Sequence, residues 1–317
     1  MSHAVESTIE VFNNADPIPD SGLIMSILVP FYHDDPAQLI AAISAQACDG
    51  IELILYDDGT QSGQLHDQLR QVIVAANLPA QILTCTNNHG RSNARNRLIQ
   101  AARGQYLLFL DADMLPGTEQ FLSTWMAEIA ANQPAVVFGG FSVLEASGDR
   151  AYDLHRALSV SSDCLDAEQR NKIPAKHVCT SNLLVRRDVL EVCTFDTEFV
   201  GWGWEDVEWA ARVAEQFTIT HIDNSAIHLG LENAETLINR FRDSAENYAI
   251  FVARHPVLAQ QLPSYRTAKL AGKIPGLKLL RPVLRSLALD PWQVFPMKLR
   301  VLALKLWRAG WYAEKLA

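Results

Sequence analysis

The chain has 317 residues, of which 49% are hydrophobic and 20% are charged, and its formal net charge is −9. These proportions are typical of a globular protein with a sizeable core and exclude a disordered or fibrous chain. Five widely spaced cysteines without a C-x-x-C pair argue against a zinc or redox site and favour free thiols in a reducing compartment.

Residues 1–24 lack both a basic start and an apolar stretch, so they predict neither a secretory signal nor a membrane span. We expect them to form a loose extension. No run of ~18 apolar residues occurs elsewhere, which argues against a conventional transmembrane helix. These features predict a cytoplasmic protein, with peripheral contact at the inner face of the cell membrane left open.

From residue 25 onward, short β-branched runs alternate with helical patterns. Strands separated by helices of this length predict right-handed crossovers and a mostly parallel sheet with helices on both faces, which is an α/β fold. The expected strands are 25–30, 51–56, 80–85, 106–110 and 135–140, and the expected helices are 36–47, 64–76, 91–103 and 118–132.

The pattern loosens after residue 140. Residues 145–176 are polar and mixed and predict a loop with a helix that covers the site as a lid. Beyond it we expect a strand at 179–185, a pair of strands within 218–229 and a helix at 232–254.

Acidic turns follow three of the expected strands, at residues 31–35, 57–58 and 111–113. Ligands of parallel α/β sheets bind beyond the carboxyl ends of the strands, so these turns are expected to gather at one edge. Asp111 and Asp113, two positions apart, can share a hard divalent cation such as Mg²⁺ or Mn²⁺. Such a cation absorbs the charge of a nucleotide diphosphate leaving group, although Asp-x-Asp also fits simple turn chemistry.

The segments FYHDD, LYDDG and NHGRSNARNRLIQAARGQYLLFLDAD follow one another over residues 25–140. In order and spacing they resemble the family 2 glycosyltransferases. The resemblance implies a Rossmann-like sheet of the nucleotide-diphospho-sugar transferase type, a UDP-sugar donor and a Mn²⁺ or Mg²⁺ cofactor. It implies that Asp58 contacts the uracil base and that Asp113 ligates the metal. The other donor-side residues that it implies are Pro30, Tyr32, Arg91, Arg95, Asn96 and Asp111, with a solvated helix face as the alternative for the two arginines.

A second motif, GWGWED, occupies residues 201–206. Glycines between aromatic residues let the backbone approach a ligand, and the indole of Trp202 is suited to stacking on a sugar. The motif resembles the GWGGED segment of galactosyl- and N-acetylgalactosaminyltransferases, including capsule and chondroitin-type polymerases. The resemblance implies that Asp206 is the catalytic base and that Glu205 holds the acceptor. Trp204 replaces a glycine of that pattern, so the donor sugar stays open among Gal, GalNAc and GlcNAc; an acidic helix cap beside core tryptophans is the alternative.

Two further residues are assigned through the resemblance. His228 falls where many relatives place a third metal ligand, beside Asp113 and Asp111, and an imidazole suits Mn²⁺. His221 is a nearby competitor. Asn182 lies in a segment similar to the one that touches the donor sugar, and its alternative role is that of a strand-end turn residue.

The C-terminal segment 263–317 differs from the rest in charge. Ten Lys or Arg face two acidic residues from position 269 onward, so this part carries +8 and the remainder −17. Five prolines divide the segment before a helix expected at 297–317. Apolar residues interleaved with Lys and Arg are typical of a helix at a membrane surface. The alternative is that this helix packs on the acidic body.

These features define an extension (1–24), a nucleotide-sugar-binding half (25–140), an acceptor-binding catalytic half (141–262) and a basic helical tail (263–317). We expect an inverting transferase acting on a glycan or glycolipid acceptor, with no nucleic-acid partner. A nucleotidyltransferase would need a Gly-rich basic loop after the first strand, where this chain has FYHDD. A non-catalytic carbohydrate- or nucleotide-binding protein with the same fold is the remaining alternative.

Overall fold

The computed structural model describes residues 9–15 and 22–316. Its strands agree closely with the expected ones as far as residue 110. The strands are β1 (Ile9–Asn13), β2 (Met25–Phe31), β3 (Ile51–Asp58), β4 (Ala80–Cys85), β5 (Tyr106–Leu110), β6 (Met114–Pro116), β7 (Val136–Phe138), β8 (Phe141–Ser142), β9 (Asn182–Arg186), β10 (Ile219–His221) and β11 (Ala226–His228).

The helices surround the sheet and dominate the C-terminal third of the chain. They are α1 (Ala37–Ala45), α2 (Gly63–Val74), α3 (Arg91–Ala101), α4 (Phe121–Asn132), α5 (Asp153–Ser162), α6 (Ala167–Arg170), α7 (Arg187–Val192), α8 (Glu205–Val213), α9 (Ala234–Asp243), α10 (Ala245–Arg254), α11 (Pro256–Gln261), α12 (Pro263–Ala271), α13 (Leu277–Leu289) and α14 (Met297–Lys315). Short 3-10 helices lie at 150–152 and 174–177.

Eight strands form one central sheet in the order β1-β4-β3-β2-β5-β9-β7-β10. The four strands β4, β3, β2 and β5 are parallel, and β9 runs antiparallel to both β5 and β7. All eight residues of β3 are buried, as expected for a strand covered on both faces. Separate apolar cores fill the two sides, one around Trp125 and the other around Trp209. The expected α/β fold class is therefore confirmed.

Residues 9–13 are not a loose extension, contrary to the expectation for this end. They form β1, which pairs antiparallel with β4 and places Ile9 opposite Cys85. The Asn14 side chain anchors the strand, since its amide donates to the Ile73 and Leu78 carbonyls and its oxygen accepts from the Ala80 N–H. Positions 1–8 and 16–21 of the expected extension lie outside the described residues.

The strands expected within 218–229 do not pair with each other. β10 joins the central sheet beside β7, whereas β11 forms a small second sheet with β6 and β8. The helix expected at 232–254 is divided at Ser244 into α9 and α10. The Ser244 hydroxyl bonds the Phe241 carbonyl and the Tyr312 hydroxyl, which fixes the break against α14.

The last helix, α14, packs on the body of the protein. It contacts α12, α13, α10, α5 and α9, and its buried side includes Leu304, Trp307 and Tyr312. Half of the ten basic residues of the tail form ion pairs with carboxylates, including Arg285 with Glu235. α14 therefore packs on the body, which was the alternative to a membrane-surface helix at 297–317, and membrane contact of the tail stays a prediction. Among the described residues, no helix has the length and hydropathy to cross a bilayer.

Candidate active site

The acidic turns lie together at one edge of the central sheet. β2 is the neighbour of both β3 and β5 and runs parallel to each, so the turns that follow these strands meet. Partial desolvation raises the pKa of Asp34, and the nearby carboxylates of Asp113 and Asp111 raise it further. The expected gathering of carboxylates at this edge is therefore present.

Asp58 shapes the loop that leads into α3. Its carboxylate accepts hydrogen bonds from the backbone N–H groups of His89 at 3.0 Å and Gly90 at 2.8 Å. Burial raises the pKa of Asp58, and these two N–H groups oppose that shift. Gly90 has φ +88 and is followed directly by the first residue of α3. The observed contacts of Asp58 are thus with the backbone of the loop that precedes α3, and its expected contact with the uracil base stays a prediction.

An accessible aromatic ring lies on the loop after β2. Tyr32 is 44% exposed, and its ring centroid is 4.0 Å from that of His33. Pro30 is half-buried and lies opposite Tyr56 in the ladder between β2 and β3. The His33 N–H donates to the Thr60 Oγ1 at 2.9 Å, which joins the loops after the two strands. A ring on an anchored loop is suited to stacking on a planar base.

Arg95 connects the N-terminal and C-terminal halves of the protein, because its guanidinium contacts carboxylates of both. It lies on α3 and is 1% exposed. Its guanidinium lies 3.1 Å from Asp206, 3.3 Å from Glu205 and 3.9 Å from Asp111, and 5.5 Å from the centroid of the Phe195 ring. Although burial opposes it, the carboxylates raise the pKa of Arg95. The observed donors of Arg95 thus face carboxylates inside the protein, and its expected contact with the nucleotide stays a prediction.

Asp206 is one of two partly accessible carboxylates in this group. Its side chain is 20% exposed and that of Asp111 is 29% exposed, against 6% for that of Glu205. The Thr180 N–H donates to Asp206 Oδ2 at 3.2 Å, and the Thr180 hydroxyl lies 3.3 Å from both carboxylate oxygens. Burial raises the pKa of Asp206 to about 6; Arg95 opposes the shift, and Glu205 and Asp111 add to it. A carboxylate with a pKa near neutrality can accept a proton from a hydroxyl.

Arg91 is an accessible arginine of α3, one turn before Arg95. It is exposed at the start of the helix. Its positive charge lowers the pKa of both Asp34 and Asp113, so it faces the acidic edge of the sheet. An exposed guanidinium in this position can pair with phosphate oxygens.

Asp113 and His228 form a second accessible pair. β11 runs antiparallel to β6 and places His228 opposite Met114, so His228 Nε2 lies 3.3 Å from Asp113 Oδ2. Gly230 makes room for the carboxylate, since a Cβ there would fall 1.7 Å from Oδ2. Burial opposes both shifts, but the hydrogen bond within the pair raises the pKa of His228 and lowers that of Asp113.

The donor set of this pair fits Mn²⁺ or Mg²⁺. A carboxylate oxygen and an imidazole nitrogen converge, with 32% and 22% of the two side chains exposed. Within residues 9–15 and 22–316, no group of three or more His, Cys, Asp or Glu is arranged to hold an ion by itself. Asp111, expected as a further ligand, has Arg95 as its ion-pair partner. Mg²⁺ usually keeps several waters and phosphate oxygens, so two protein ligands suit it.

His155 was not singled out by the sequence and lies beside this pair. Its ring centroid is 6.3 Å from that of His228, and its Nδ1 accepts the Glu232 N–H at 2.8 Å. Burial lowers the pKa of His155 to about 4, and the charge of His228 contributes. His155 is therefore neutral near pH 7. It lies on α5 within the polar segment 145–176, where no motif in the sequence distinguishes it.

Two expected donor-binding residues have structural partners instead. The Asn96 amide donates to the Phe195 carbonyl at 2.8 Å and its oxygen accepts the Phe195 N–H at 3.0 Å. Asn182 is fully buried, and its amide donates to the carbonyls of Gly140 and Asn224, both at 2.8 Å. Both amides thus bind the backbone, and their expected roles at the donor stay predictions.

The GWGWED segment uses its two tryptophans for packing. Trp202 is half-buried and meets Phe241 edge to face at 5.4 Å, which leaves part of its ring accessible for a sugar. Trp204 adopts φ +75, a conformation that favours glycine, immediately before α8. Its indole N–H donates to the Tyr312 hydroxyl at 3.0 Å, and its ring stacks on Phe251 at 5.0 Å. Trp204 therefore ties α8, and with it Asp206, to the C-terminal helices.

Comparisons with known proteins agree with this architecture. Glycosyltransferase AglE of Haloferax volcanii is 25% identical over 227 residues, which cover 69% of this chain and 71% of AglE. The other curated relatives compared are matched over 11–42% of their own length.

Two solved structures are similar over most of their length. S. aureus TarS 1–349 has a TM-score of 0.54 at 15% identity, with 92% of this chain and 90% of that chain covered. The mannosyltransferase PcManGT of Pyrobaculum calidifontis, solved with GDP-Man and Mn²⁺, has a TM-score of 0.55 at 17% identity, with 90% and 85% covered. At these identities the likeness establishes the fold alone.

The family comparison covers more than half of the chain. The sequence profile described as "Glycosyl transferase family 2" matches residues 26–194. This stretch contains the acidic turns, Arg95 and Thr180. The chain therefore belongs to glycosyl transferase family 2 and is a glycosyltransferase that takes its sugar from a nucleotide-sugar donor.

Proposed function

We propose that this enzyme is an inverting, metal-dependent transferase that moves a sugar from a UDP-sugar to an acceptor hydroxyl. The observation that carries the proposal is the state of Asp206. It is partly accessible, held by Thr180 and Arg95, and its pKa is raised to about 6. A carboxylate in that state is ionised near pH 7 and basic enough to assist removal of a proton.

The donor nucleotide is assigned to the edge formed by the loop after β2, the turn at Asp58 and the start of α3. The accessible ring of Tyr32 would stack on the base, and the exposed Arg91 would pair with the diphosphate. TarS has been solved with UDP and with UDP-GlcNAc, which favours UDP here. The donor sugars that we favour are Gal, GalNAc and GlcNAc.

Asp113 and His228 are the residues that would hold Mn²⁺ or Mg²⁺. Their accessible, converging oxygen and nitrogen atoms support this assignment, as does the Mn²⁺ in the similar structure of PcManGT. When bound, such a cation neutralises charge on a diphosphate leaving group. We assign Asp111 to orienting Arg95, its observed ion-pair partner, rather than to direct ligation.

The transfer step follows from the position of Asp206. The acceptor hydroxyl donates its proton to the Asp206 carboxylate while its oxygen forms a bond with the anomeric carbon. The bond from that carbon to the UDP oxygen breaks, and UDP leaves with the electron pair. Attack opposite the leaving group inverts the anomeric centre. Glu205, which is 5% exposed, accepts from the same Arg95 Nη1 as Asp206, at 3.3 Å, and so helps to orient the arginine.

We further propose that the enzyme acts at a membrane surface, in synthesis of a surface polysaccharide or glycolipid. The exposed side of α13 and the loop after it support this, because Leu279 is 81%, Val283 54% and Trp292 74% exposed. Exposed apolar residues in a basic segment suit anionic lipid. Sedimentation with phosphatidylglycerol vesicles should deplete the wild type and spare Leu279→Ser/Trp292→Ser; equal sedimentation would contradict this surface.

The catalytic proposal is tested by UDP release from a panel of UDP-sugars with Mn²⁺, with and without chelator. We expect release with one donor, its loss with chelator and its loss in Asp113→Ala. Binding of UDP without turnover of any donor would favour a non-catalytic nucleotide-binding protein. Release that is unchanged by chelator would contradict the metal assignment.

A further inference from the structure

Hydrogen bonds join helix α2 to the loop after β2, which carries Tyr32. His66 of α2 lies 2.5 Å from Asp57, measured from Nε2 to Oδ2. The other oxygen of Asp57 accepts from the Thr60 N–H at 2.9 Å, and the Thr60 hydroxyl accepts from the His33 N–H at 2.9 Å. A continuous path of hydrogen bonds therefore runs from His66 to the residue that follows Tyr32.

Asp57 is the buried link of this path. It is the penultimate residue of β3, and its side chain is 0% exposed, whereas 17% of the His66 side chain is exposed. An ionised carboxylate can only accept hydrogen bonds, so His66 Nε2 is the donor of this pair. Burial of an unpaired carboxylate is strongly unfavourable. Loss of the imidazole would therefore favour a movement of the turn after β3 that brings Asp57 into contact with water.

The turn after β3 is closely packed on the other side as well. Gly59 adopts φ +94, and a Cβ there would fall 2.6 Å from both atoms of the peptide bond between Asn87 and Asn88. Residues 57–60 therefore contact both the loop after β2 and the loop that leads into α3. A displacement of this turn would disturb both of these loops at the nucleotide edge.

A second contact from α2 reaches the loop after β2. The Gln68 amide donates to one oxygen of Asp35 at 2.9 Å, and the other oxygen accepts from the Ala37 N–H at 2.9 Å. Gln68 and Asp35 are exposed, whereas Asp57 is buried. Hydrogen bonds in the low-dielectric interior are stronger than the same bonds in water. We therefore expect His66 rather than Gln68 to dominate the position of the loop.

We propose that His66 is a positioning residue for the donor nucleotide, which holds the loop carrying Tyr32 through Asp57 and Thr60. The inference rests on the proposed function, because it takes Tyr32 as the ring that stacks on the base of the donor. His66 has no part in the transfer step. Its loss should therefore weaken binding of the donor and leave the chemical step unchanged.

The test is calorimetric titration of UDP, with Mn²⁺ present, into the wild type and variants of this path. His66→Leu removes the donor to Asp57, and His66→Gln keeps an N–H donor on the side chain. Thr60→Val removes the hydroxyl that accepts from His33 but keeps the N–H that pairs with Asp57, so it breaks the path without leaving the buried carboxylate unpaired. Gln64→Leu places the same new side chain at an exposed position of α2 and is the matched control.

The Kd for UDP should rise about fivefold or more in His66→Leu and in Thr60→Val, as expected when an aromatic ring no longer stacks on a base. It should stay within about twofold of the wild-type value in His66→Gln and in Gln64→Leu. With a UDP-sugar that is turned over, His66→Leu and Thr60→Val should raise KM and leave kcat nearly unchanged. A general loss of folded protein would instead lower kcat and leave KM unchanged.

A double-mutant cycle shows whether the effect passes through Tyr32. Tyr32→Ala should weaken UDP binding by itself, and His66→Leu should add less than about twofold to that loss, because coupled residues are not additive. Full additivity, or equal weakening in Gln64→Leu, would overturn the role of His66. An unchanged Kd in His66→Leu and Thr60→Val, with weakened binding in Tyr32→Ala, would overturn this role alone. Unchanged binding in Tyr32→Ala would overturn the donor assignment together with it.

Discussion

The two ends of the proposed site, the base end (Arg95, Glu205 and Asp206) and the metal end (Asp113 and His228), are built in opposite ways. At the base end, Arg95 is 1% exposed and lies within 3.9 Å of three carboxylates. At the metal end, Asp113 and His228 form one contact at 3.3 Å and keep accessible side chains. The charges of the base end are paired within the protein, whereas the side chains of the metal end keep accessible atoms for a bound ligand.

This difference predicts which property each end controls. A buried charge whose partner is removed is strongly destabilising. Substitutions of Arg95 should therefore lower the free energy of unfolding of the protein. Removing an accessible side chain changes the free energy of unfolding little. Changes at Asp113 or His228 should therefore lower the affinity for metal and donor rather than the stability of the free protein. Asp206 belongs to the base end by its contacts, yet is accessible enough to meet a substrate.

The largest effect on turnover is expected for Asp206→Asn. Loss of a general base typically costs about 10²–10⁴-fold in rate, and the amide keeps the shape of the carboxylate. Steady-state kinetics should show this fall in kcat. Asp188→Asn, the same change at an exposed residue of α7, should leave kcat within twofold. A kcat for Asp206→Asn close to that of the wild type would remove the base assignment.

The largest effect on stability is expected for Arg95→Met. It leaves Asp206, Glu205 and Asp111 without their cation, and removal of one partner of a buried pair costs about 3–5 kcal/mol. Urea unfolding should show that loss. Arg91→Met, one turn earlier and exposed, should change the free energy of unfolding by less than about 0.5 kcal/mol. Similar losses in both variants would contradict the buried network.

A metal-specific effect is expected for His228→Ala. The Mn²⁺ concentration for half-maximal activity should rise by at least about 10–100-fold. Mutation of a residue that only hydrogen-bonds a metal ligand already lowers metal affinity by that much. The free energy of unfolding without metal should change little. His33→Ala, an accessible histidine on the loop after β2, serves as the control, and an unchanged Mn²⁺ requirement in His228→Ala would exclude it as a ligand.

The smallest effect is a shift in the pH profile. Asp206 acts as a base only when ionised, so kcat/KM should fall about tenfold per pH unit below its pKa of about 6. Glu205→Gln removes a neighbouring negative charge that raises the pKa of Asp206. The acid limb should therefore move to lower pH in that variant. Movement to higher pH would show that another group controls the limb.

The N-terminal half was predictable because its strands are buried on both faces. The sequences of such strands are short apolar runs bounded by turn residues. The expected strands 80–85 and 106–110 accordingly coincide with β4 and β5. Their parallel order places the acidic turns together without further information. The pairing of Asp113 with His228 follows once β11 is known to lie beside β6.

The base end was harder to predict because its contacts join distant parts of the chain. Arg95 meets Glu205 and Asp206 across 110 and 111 residues, and an arginine within a polar helix gives no sign of such partners. The same holds for Trp204, whose hydrogen bond to Tyr312 requires that α14 fold back on the body. The backbone hydrogen bonds of Asn96 and Asn182 were not predictable either, because hydrogen bonding to distant backbone leaves no pattern in the sequence.

We propose that one end of the site binds the donor through a metal while the other removes a proton. Calorimetric titration of UDP with Mn²⁺ into the wild type, Asp113→Ala and Asp206→Asn separates these two roles. We predict that Asp206→Asn binds UDP as the wild type does and that Asp113→Ala loses the Mn²⁺-dependent part of the affinity. Equal weakening in the two variants, or full Mn²⁺-dependent affinity in Asp113→Ala, would contradict the division of roles.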